Sequence, residues 1–214
     1  MIRIWGRASA FNLQKAYWAL LETDQPYERI DAGGDFGGLD SPDFLARNPN
    51  GRIPVIDDDG FVLWESQAIV RYLAEQHAPA LLPDDVQGRA LASQWMDWAQ
   101  TNLLPAALDL FWGGVRTPKE KQDAAFVARA LKRTIAALAL LDKELSTHDY
   151  LVGNNFSLAD IPAGTCLYRF FEMGGIARPV LPHVSAWYAR LSDRPAYQQA
   201  VMVPFDDLIG KENF

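Results

Sequence analysis

The sequence predicts an α/β domain followed by an all-helical one, and three observations carry that reading. Up to about residue 78, strand-like alternation and helix-like periodicity take turns. A segment with two prolines and little periodicity, APALLPDDV, then interrupts both. Beyond it every apolar pattern is helical. The first domain is therefore placed at 1–78, the linker at 79–86 and the helical domain at 87–214.

Each element of the first domain has its own signal. Residues 1–5, MIRIW, read as a strand closed by Gly6. Leu13, Ala16, Tyr17, Leu20 and Leu21 recur at helical spacing, with Ser9 or Asn12 as the candidate cap. PYERI at 26–30 reads as a second strand, and the loop AGGDFGGLDSP after it leads to one helical turn at 43–46. PVID and FVLW flank Asp58-Asp59-Gly60, and Asp-Gly between apolar runs signals a hairpin. A helix over about 66–76 buries Ile69, Val70, Tyr72 and Leu73. The order is βαβ, a linking helical turn, then ββα, which makes a mixed four-stranded sheet.

In the second half, Trp95, Trp98, Asn102 and Pro105 mark one face of a long helix, with Pro105 predicting a kink. Phe126, Ala130, Leu131, Ile135, Leu138, Leu141 and Leu145 mark the next. A third starts at Ser157-Leu158-Ala159-Asp160. Ser157 caps it, Asp160 favours its positive end, Phe156 staples onto Ile161, and Pro162 removes one backbone bond. Shorter helices are expected over 183–191 and 195–202.

Composition narrows the function. The net charge of −7 argues against a nucleic-acid or anionic-membrane partner. No apolar run approaches the roughly 18 residues of a membrane span. A single cysteine, Cys166, excludes an internal disulfide and a CxxC pair, and its helical neighbours mark it as a packing residue. His77, His148 and His183 lie far apart, so no metal is expected. The opening MIRIWGRASAFNLQ lacks a secretory apolar core, and a cytoplasmic location is expected.

PNGRIPVIDDDGFVLWESQAI, residues 49–69, holds the chemistry. A βαβ–ββα order with a proline heading the third strand matches the thioredoxin-like arrangement, in which that proline is cis. The preceding residue, Ile53, then turns its N–H and C=O toward an extended peptide ligand. The Ser66 hydroxyl and the first N–H groups of its helix suit a carboxylate, and Glu65 suits an ammonium. Together they describe a receptor for a small peptide with an α-amino-acid head group.

NPNGRIPVI, the LWESQAIVRYLAE run, the all-helical second half and FSLADI resemble the glutathione transferase superfamily over essentially the whole chain. GRASAFNLQKAYWALLETDQPYERID is similar to bacterial, cytosolic nu-, theta- and zeta-like members. The resemblance implies that glutathione is the co-substrate. Ile53 beside Pro54 would clamp its cysteinyl backbone, Glu65 and Ser66 its γ-glutamyl end, and Arg52 its glycyl carboxylate.

The family places its thiol-activating donor between the first strand and the first helix. That loop holds no tyrosine or cysteine here, which disfavours the tyrosine-type and cysteine-type members. Either Ser9 or Asn12 would bond the sulfur, and either is equally readable as a helix cap. Ala10 departs from the hydroxyl residue of the nu-like pattern. A pocket for a small apolar electrophile would involve Phe111, Trp112 and Arg116, with core packing as the alternative for the two aromatic rings. The implied activity is glutathione transfer. Nu-like glutathione-dependent disulfide reduction is one alternative, and a non-catalytic glutathione-binding or regulatory module is another. A homodimer is also implied.

Overall fold

The computed structural model describes residues 1–212 and divides into two compact units. The first comprises Met1–Leu82 and Ala196–Val203, and the second Pro83–Pro195 and Pro204–Glu212.

In the first unit the chain runs β1 (Ile2–Trp5), α1 (Phe11–Leu21), β2 (Tyr27–Ile30), α2 (Pro42–Arg47), β3 (Val55–Asp58), β4 (Phe61–Trp64) and α3 (Ser66–His77). The four-stranded sheet has the order β2-β1-β3-β4, with β1 and β2 parallel and the other neighbours antiparallel. The mixed thioredoxin-like sheet expected from the sequence is the one observed. Asp59 and Gly60 both take positive φ (48° and 98°), which closes the β3–β4 hairpin with the twist that the strands prefer. The Asp57 side chain accepts from the Gly60 N–H at 2.7 Å.

Helix α1 is buried almost all round. Leu13, Ala16, Trp18 and Leu20 are fully covered, and Gln14 and Lys15 are each only 1% exposed. Ala196–Val203, expected in the helical domain, packs with the sheet unit instead. Tyr197 meets Trp18 edge-on at 4.7 Å, and the Gln199 amide donates to the hydroxyls of Tyr17 and Tyr27, both at 2.9 Å. A fully buried tyrosine ring anchors the segment there.

In the second unit, α4 (Val86–Trp98) is capped by Asp85, whose side chain accepts from the Gly88 N–H at 2.8 Å. It continues through a π-turn at Ala99–Leu103 into α5 (Leu104–Phe111) and a second π-turn at Trp112–Arg116. The irregularity expected at Pro105 is thus a widened turn just before it, which accommodates the missing N–H.

Helix α6 (Ala124–Glu144) buries Ala130, Thr134, Leu138 and Leu141, with the Thr134 hydroxyl bonded to the Ala130 carbonyl at 2.9 Å. Its buried stripe is narrower than expected, and Phe126 remains 36% exposed. The third helix divides into α7 (Asp160–Gly164) and α8 (Leu167–Glu172), and α9 (Pro182–Ser192) follows; α10 (Pro195–Ala200) then leads into the segment that packs with the first unit. Pro162 contributes no N–H to so short a first segment, and at the break the Cys166 N–H reaches the Ala163 carbonyl in a tighter turn.

Asp160, rather than Ser157, organises this region. Its carboxylate accepts from the N–H groups of Leu151 and Ser157 and from the Trp187 indole, each at 3.0 Å. Among the described residues no helix is long and apolar enough to cross a membrane.

Candidate functional site

Strand register places most of the expected binding residues at one end of the sheet. Trp5 pairs with Val55, and Val55 with Trp64. The next row therefore holds Gly6, Pro54 and Glu65, one residue beyond each strand. Beyond Gly6 runs the loop carrying Ser9, and beyond Glu65 begins α3.

The Ile53–Pro54 peptide is cis. Ile53 lies outside the β3 ladder, and its side chain is half-buried. A methyl group placed on Gly6 would stand 3.3 Å from Ile53 Cδ1, and one placed on Gly33 would stand 3.6 Å away. The two glycines thus let Ile53 close over the β1–α1 and β2–α2 loops. Glycine is the residue that tolerates their positive φ, 153° and 75°. Upstream, the buried Asn48 side chain donates to the Arg52 carbonyl at 2.7 Å and accepts from the N–H and side chain of Asn50, each at 3.0 Å. The Arg52 backbone is held in this way while its side chain stays exposed.

Glu65 has φ 74° and ψ 113°, a costly conformation for a side-chain-bearing residue. It stands at the N-cap of α3 without making a side-chain cap bond. Ser66 is therefore the first helical residue and not the cap, and it is only 3% exposed. The first bond inside the helix runs from the Ile69 N–H to the Glu65 carbonyl, so the N–H groups of Ser66, Gln67 and Ala68 stand ahead of the ladder. No acidic side chain occupies this turn. A helix start of this kind attracts a carboxylate.

The loop after β1 is equally well defined. The N-cap of α1 is Ala10, with no side-chain cap bond, so neither Ser9 nor Asn12 caps the helix. Ser9 precedes the cap and is half-buried, whereas Asn12 lies in the first turn with its side chain exposed. The Gly6 N–H bonds the Ile30 carbonyl at 2.9 Å, and Arg29 donates to the Gly6 carbonyl at 3.0 Å. Arg7 packs along Gly34. Burial lowers the pKa of its guanidinium, and the nearby Asp35 partly restores it.

The proposed electrophile residues lie in the second unit. Phe111 is 2% exposed, packs against Phe205 at 5.4 Å and lies under the Arg169 guanidinium at 4.4 Å. Arg116 is 3% exposed, donates to the Lys211 carbonyl at 2.8 Å and covers Trp112 at 4.2 Å. Trp112 alone of the three keeps partly exposed surface.

Sequence reading passed over Asn48, Gly33 and Gln14. Asn-Pro-Asn-Gly is a turn signature that would have pointed to Asn48, since such side chains bond their own backbone. Gln14 gave no comparable signal, because nothing local shows that a polar helical residue is buried.

The fold defines a class: a thioredoxin-like domain in a chain with a helical second unit. Comparison with known proteins gives the family. The profile of the glutathione S-transferase N-terminal domain matches residues 2–75, and that of the C-terminal domain matches 103–195. Glutathione S-transferase GstB of Escherichia coli K12 is 42% identical over 95% of this chain and 99% of its own. Glutathione S-transferase 4 of Zea mays is 30% identical over 91% and 89%. The glutathione-bound theta-class glutathione S-transferase of Xanthomonas axonopodis pv. citri superposes with a TM-score of 0.91, at 49% identity over 95% of this chain and 98% of that one. The chain belongs to the glutathione S-transferase family.

Proposed function

We propose that this protein binds glutathione at the sheet end formed by Gly6, Pro54 and Glu65, ionises its thiol, and directs the thiolate onto small apolar electrophiles. The observation that carries the reading is the Glu65–Ser66 junction. A strained acidic residue stands beside a buried hydroxyl and a helix start with no acid of its own. That arrangement suits the ammonium and carboxylate of a γ-glutamyl group. Ile53 would pair with the cysteinyl backbone and Arg52 would meet the glycyl carboxylate.

Ser9 or Asn12 would then bond the sulfur. An ordinary thiol has a pKa of about 8.5, and lowering it two units takes roughly 2.7 kcal/mol, which a hydroxyl or amide donor beside a helix start can supply. Ser9→Ala or Asn12→Ala is expected to lower turnover at least about tenfold, by removing roughly 1.4 kcal/mol from the transition state, and to move the acid limb of the pH–rate profile upward. A profile unchanged in both variants would overturn the assignment of the donors.

Trp112 is the best placed of the three second-unit residues to meet the electrophile. A maize relative, 27% identical with a TM-score of 0.83, was solved with an atrazine–glutathione conjugate, which supports an apolar acceptor.

Glutathione-dependent disulfide reduction is the second reading, and the position of Cys166 favours it over any protein-thiol route. That cysteine is 3% exposed and lies within the helical unit, so exchange would run through glutathione alone. A coupled hydroxyethyl-disulfide assay with no turnover would remove it. Family membership also supports a cytoplasmic homodimer. The exposed Phe61, Val62 and Trp64 on the edge strand β4 offer apolar surface for a second copy, and light scattering checks the state.

A further inference from the structure

Gln14 is a buried polar residue for which neither the fold nor the proposed binding residues account. It sits in the first half of α1 and is 1% exposed. Its side-chain Nε2 donates to the Ala8 carbonyl at 3.1 Å, and its backbone N–H donates to the Ala10 carbonyl at 2.9 Å. Those carbonyls belong to the residues on either side of Ser9. The backbone bond is the ordinary first bond of the helix, but the side-chain bond holds the Ala8–Ser9 peptide, directly ahead of the candidate sulfur donor.

The grip on Ala8 has a stereochemical consequence. The Ala8 C=O and the Ser9 N–H share one planar trans peptide unit and point in opposite directions. With the carbonyl drawn toward Gln14, the Ser9 N–H faces away from it, and the start of the Ser9 side chain is set with it. The Ala10 N–H closes the same turn onto the Arg7 carbonyl at 3.0 Å. The Gln14 Oε1, by contrast, is buried without a hydrogen-bond partner. An orphaned acceptor weakens the fold, and such groups persist where the rest of the side chain has another task.

We propose that Gln14 is a positioning residue for thiol activation, orienting Ser9 through the Ala8–Ser9 peptide. The proposal rests on reading the loop after β1 as the one that activates the thiol. It adds a role for a residue that touches neither the sulfur nor the rest of glutathione.

The test is a double-mutant cycle of Gln14→Met, Ser9→Ala and the pair. It reads the acid limb of kcat/KM, the ultraviolet thiolate absorbance of bound glutathione against pH, and the melting temperature. Methionine keeps the length and apolar body of the side chain without either polar atom. Gln14→Met is expected to raise the acid limb by about half to one pH unit, which is a roughly three- to tenfold loss of kcat/KM below it. It also removes the orphaned oxygen, so the melting temperature should stay within about 3 °C. In the Ser9→Ala background Gln14→Met should have no further effect on the limb.

If Ser9→Ala moves the limb and Gln14→Met does not, the positioning role is wrong and the Ser9 reading stands. If Ser9→Ala itself leaves the limb in place, the Ser9 reading fails and the proposal with it. Additive shifts in the pair would place Gln14's action elsewhere and also overturn it. Should Gln14→Met fold poorly, Gln14→Asn, which withdraws the amide from Ala8 but keeps it polar, carries the same comparison.

Discussion

Replacing Gly6 with alanine tests the geometry of the sheet end directly. Gly6 has φ 153°, and a methyl group there would stand 2.9 Å and 3.2 Å from the two Cδ atoms of Leu13 and 3.3 Å from Ile53 Cδ1. Two costs follow. Holding a side-chain-bearing residue in that conformation takes about 1–3 kcal/mol. Forcing a methyl group into contacts this close takes about 1–3 kcal/mol more. The expected loss is therefore about 2–6 kcal/mol, a large share of the roughly 5–15 kcal/mol that stabilises a typical domain.

Gly60→Ala separates the two costs, because Gly60 also has positive φ (98°) but would meet nothing within 4 Å. Urea denaturation of both variants gives the contact cost as their difference. The functional consequence lies with Ile53. If its side chain must yield, the proposed main-chain clamp on glutathione would loosen, and KM for glutathione should rise about fivefold, the equivalent of one hydrogen bond of about 1 kcal/mol. Equal destabilisation in the two glycine variants, with KM for glutathione unchanged in Gly6→Ala, would refute the claim that Ile53 and Gly6 shape one site.

Three further outcomes follow from the same structure. Ser66→Ala should raise KM for glutathione roughly 10- to 150-fold with little change in kcat, since the proposed hydrogen bond to the charged γ-glutamyl group would be worth about 1.5–3 kcal/mol in ground and transition states alike; steady-state kinetics decides it. Burial would raise the Asp58 carboxyl, but its bonds from His77 at 2.6 Å and Tyr72 at 2.7 Å hold it below the usual range. That stability is present above the ordinary carboxylate pKa and is lost as pH falls through the depressed value, so Tyr72→Phe should begin acid unfolding at a higher pH, as followed by circular dichroism. Desolvation pushes the Asp160 carboxyl from 3.8 up to about 6 against the pull of its donors, so its contribution falls as pH rises between those values, and Asp160→Asn should flatten that part of the stability–pH curve.

Local signals explain why so much of the fold was legible. The Asp-Gly hairpin, the glycine ending β1 and the proline ahead of β3 each act within a few residues and leave a mark in the sequence. The N-cap of α1 was misjudged for the opposite reason. Ser9 and Asn12 both have the right chemistry, but the chain begins the helix at Ala10 without a side-chain cap. Capping preference therefore does not set this boundary. Tertiary packing buries Gln14 and Lys15 within a helix whose neighbours are mostly apolar. It also draws Ala196–Val203, remote in sequence, onto the sheet unit through Tyr197 and Gln199. Periodicity shows which face of a helix is apolar, not that the opposite face is covered as well.

The proposed binding row rests on strand ends that differ chemically yet fall at one level. Gly6 leaves β1 with positive φ, Pro54 enters β3 without an N–H, and Glu65 leaves β4 with positive φ. Across β1, β3 and β4 the paired residues end together at Trp5, Val55 and Trp64, while the Gly6 N–H still bonds Ile30 of β2. That alignment is set by the hairpin. A one-residue slip of β4 against β3 would turn Glu65 and the start of α3 to the opposite face and bring Phe61, Val62 and Trp64 into the wrong register. The Asp59-Gly60 turn, far along the strands from any proposed ligand contact, thus fixes where the γ-glutamyl end of the ligand would be received. An added residue in that turn should abolish glutathione affinity through register while leaving every proposed contact residue in the sequence. If calorimetry showed such an insertion binding glutathione as the parent does, register would not be what assembles the site.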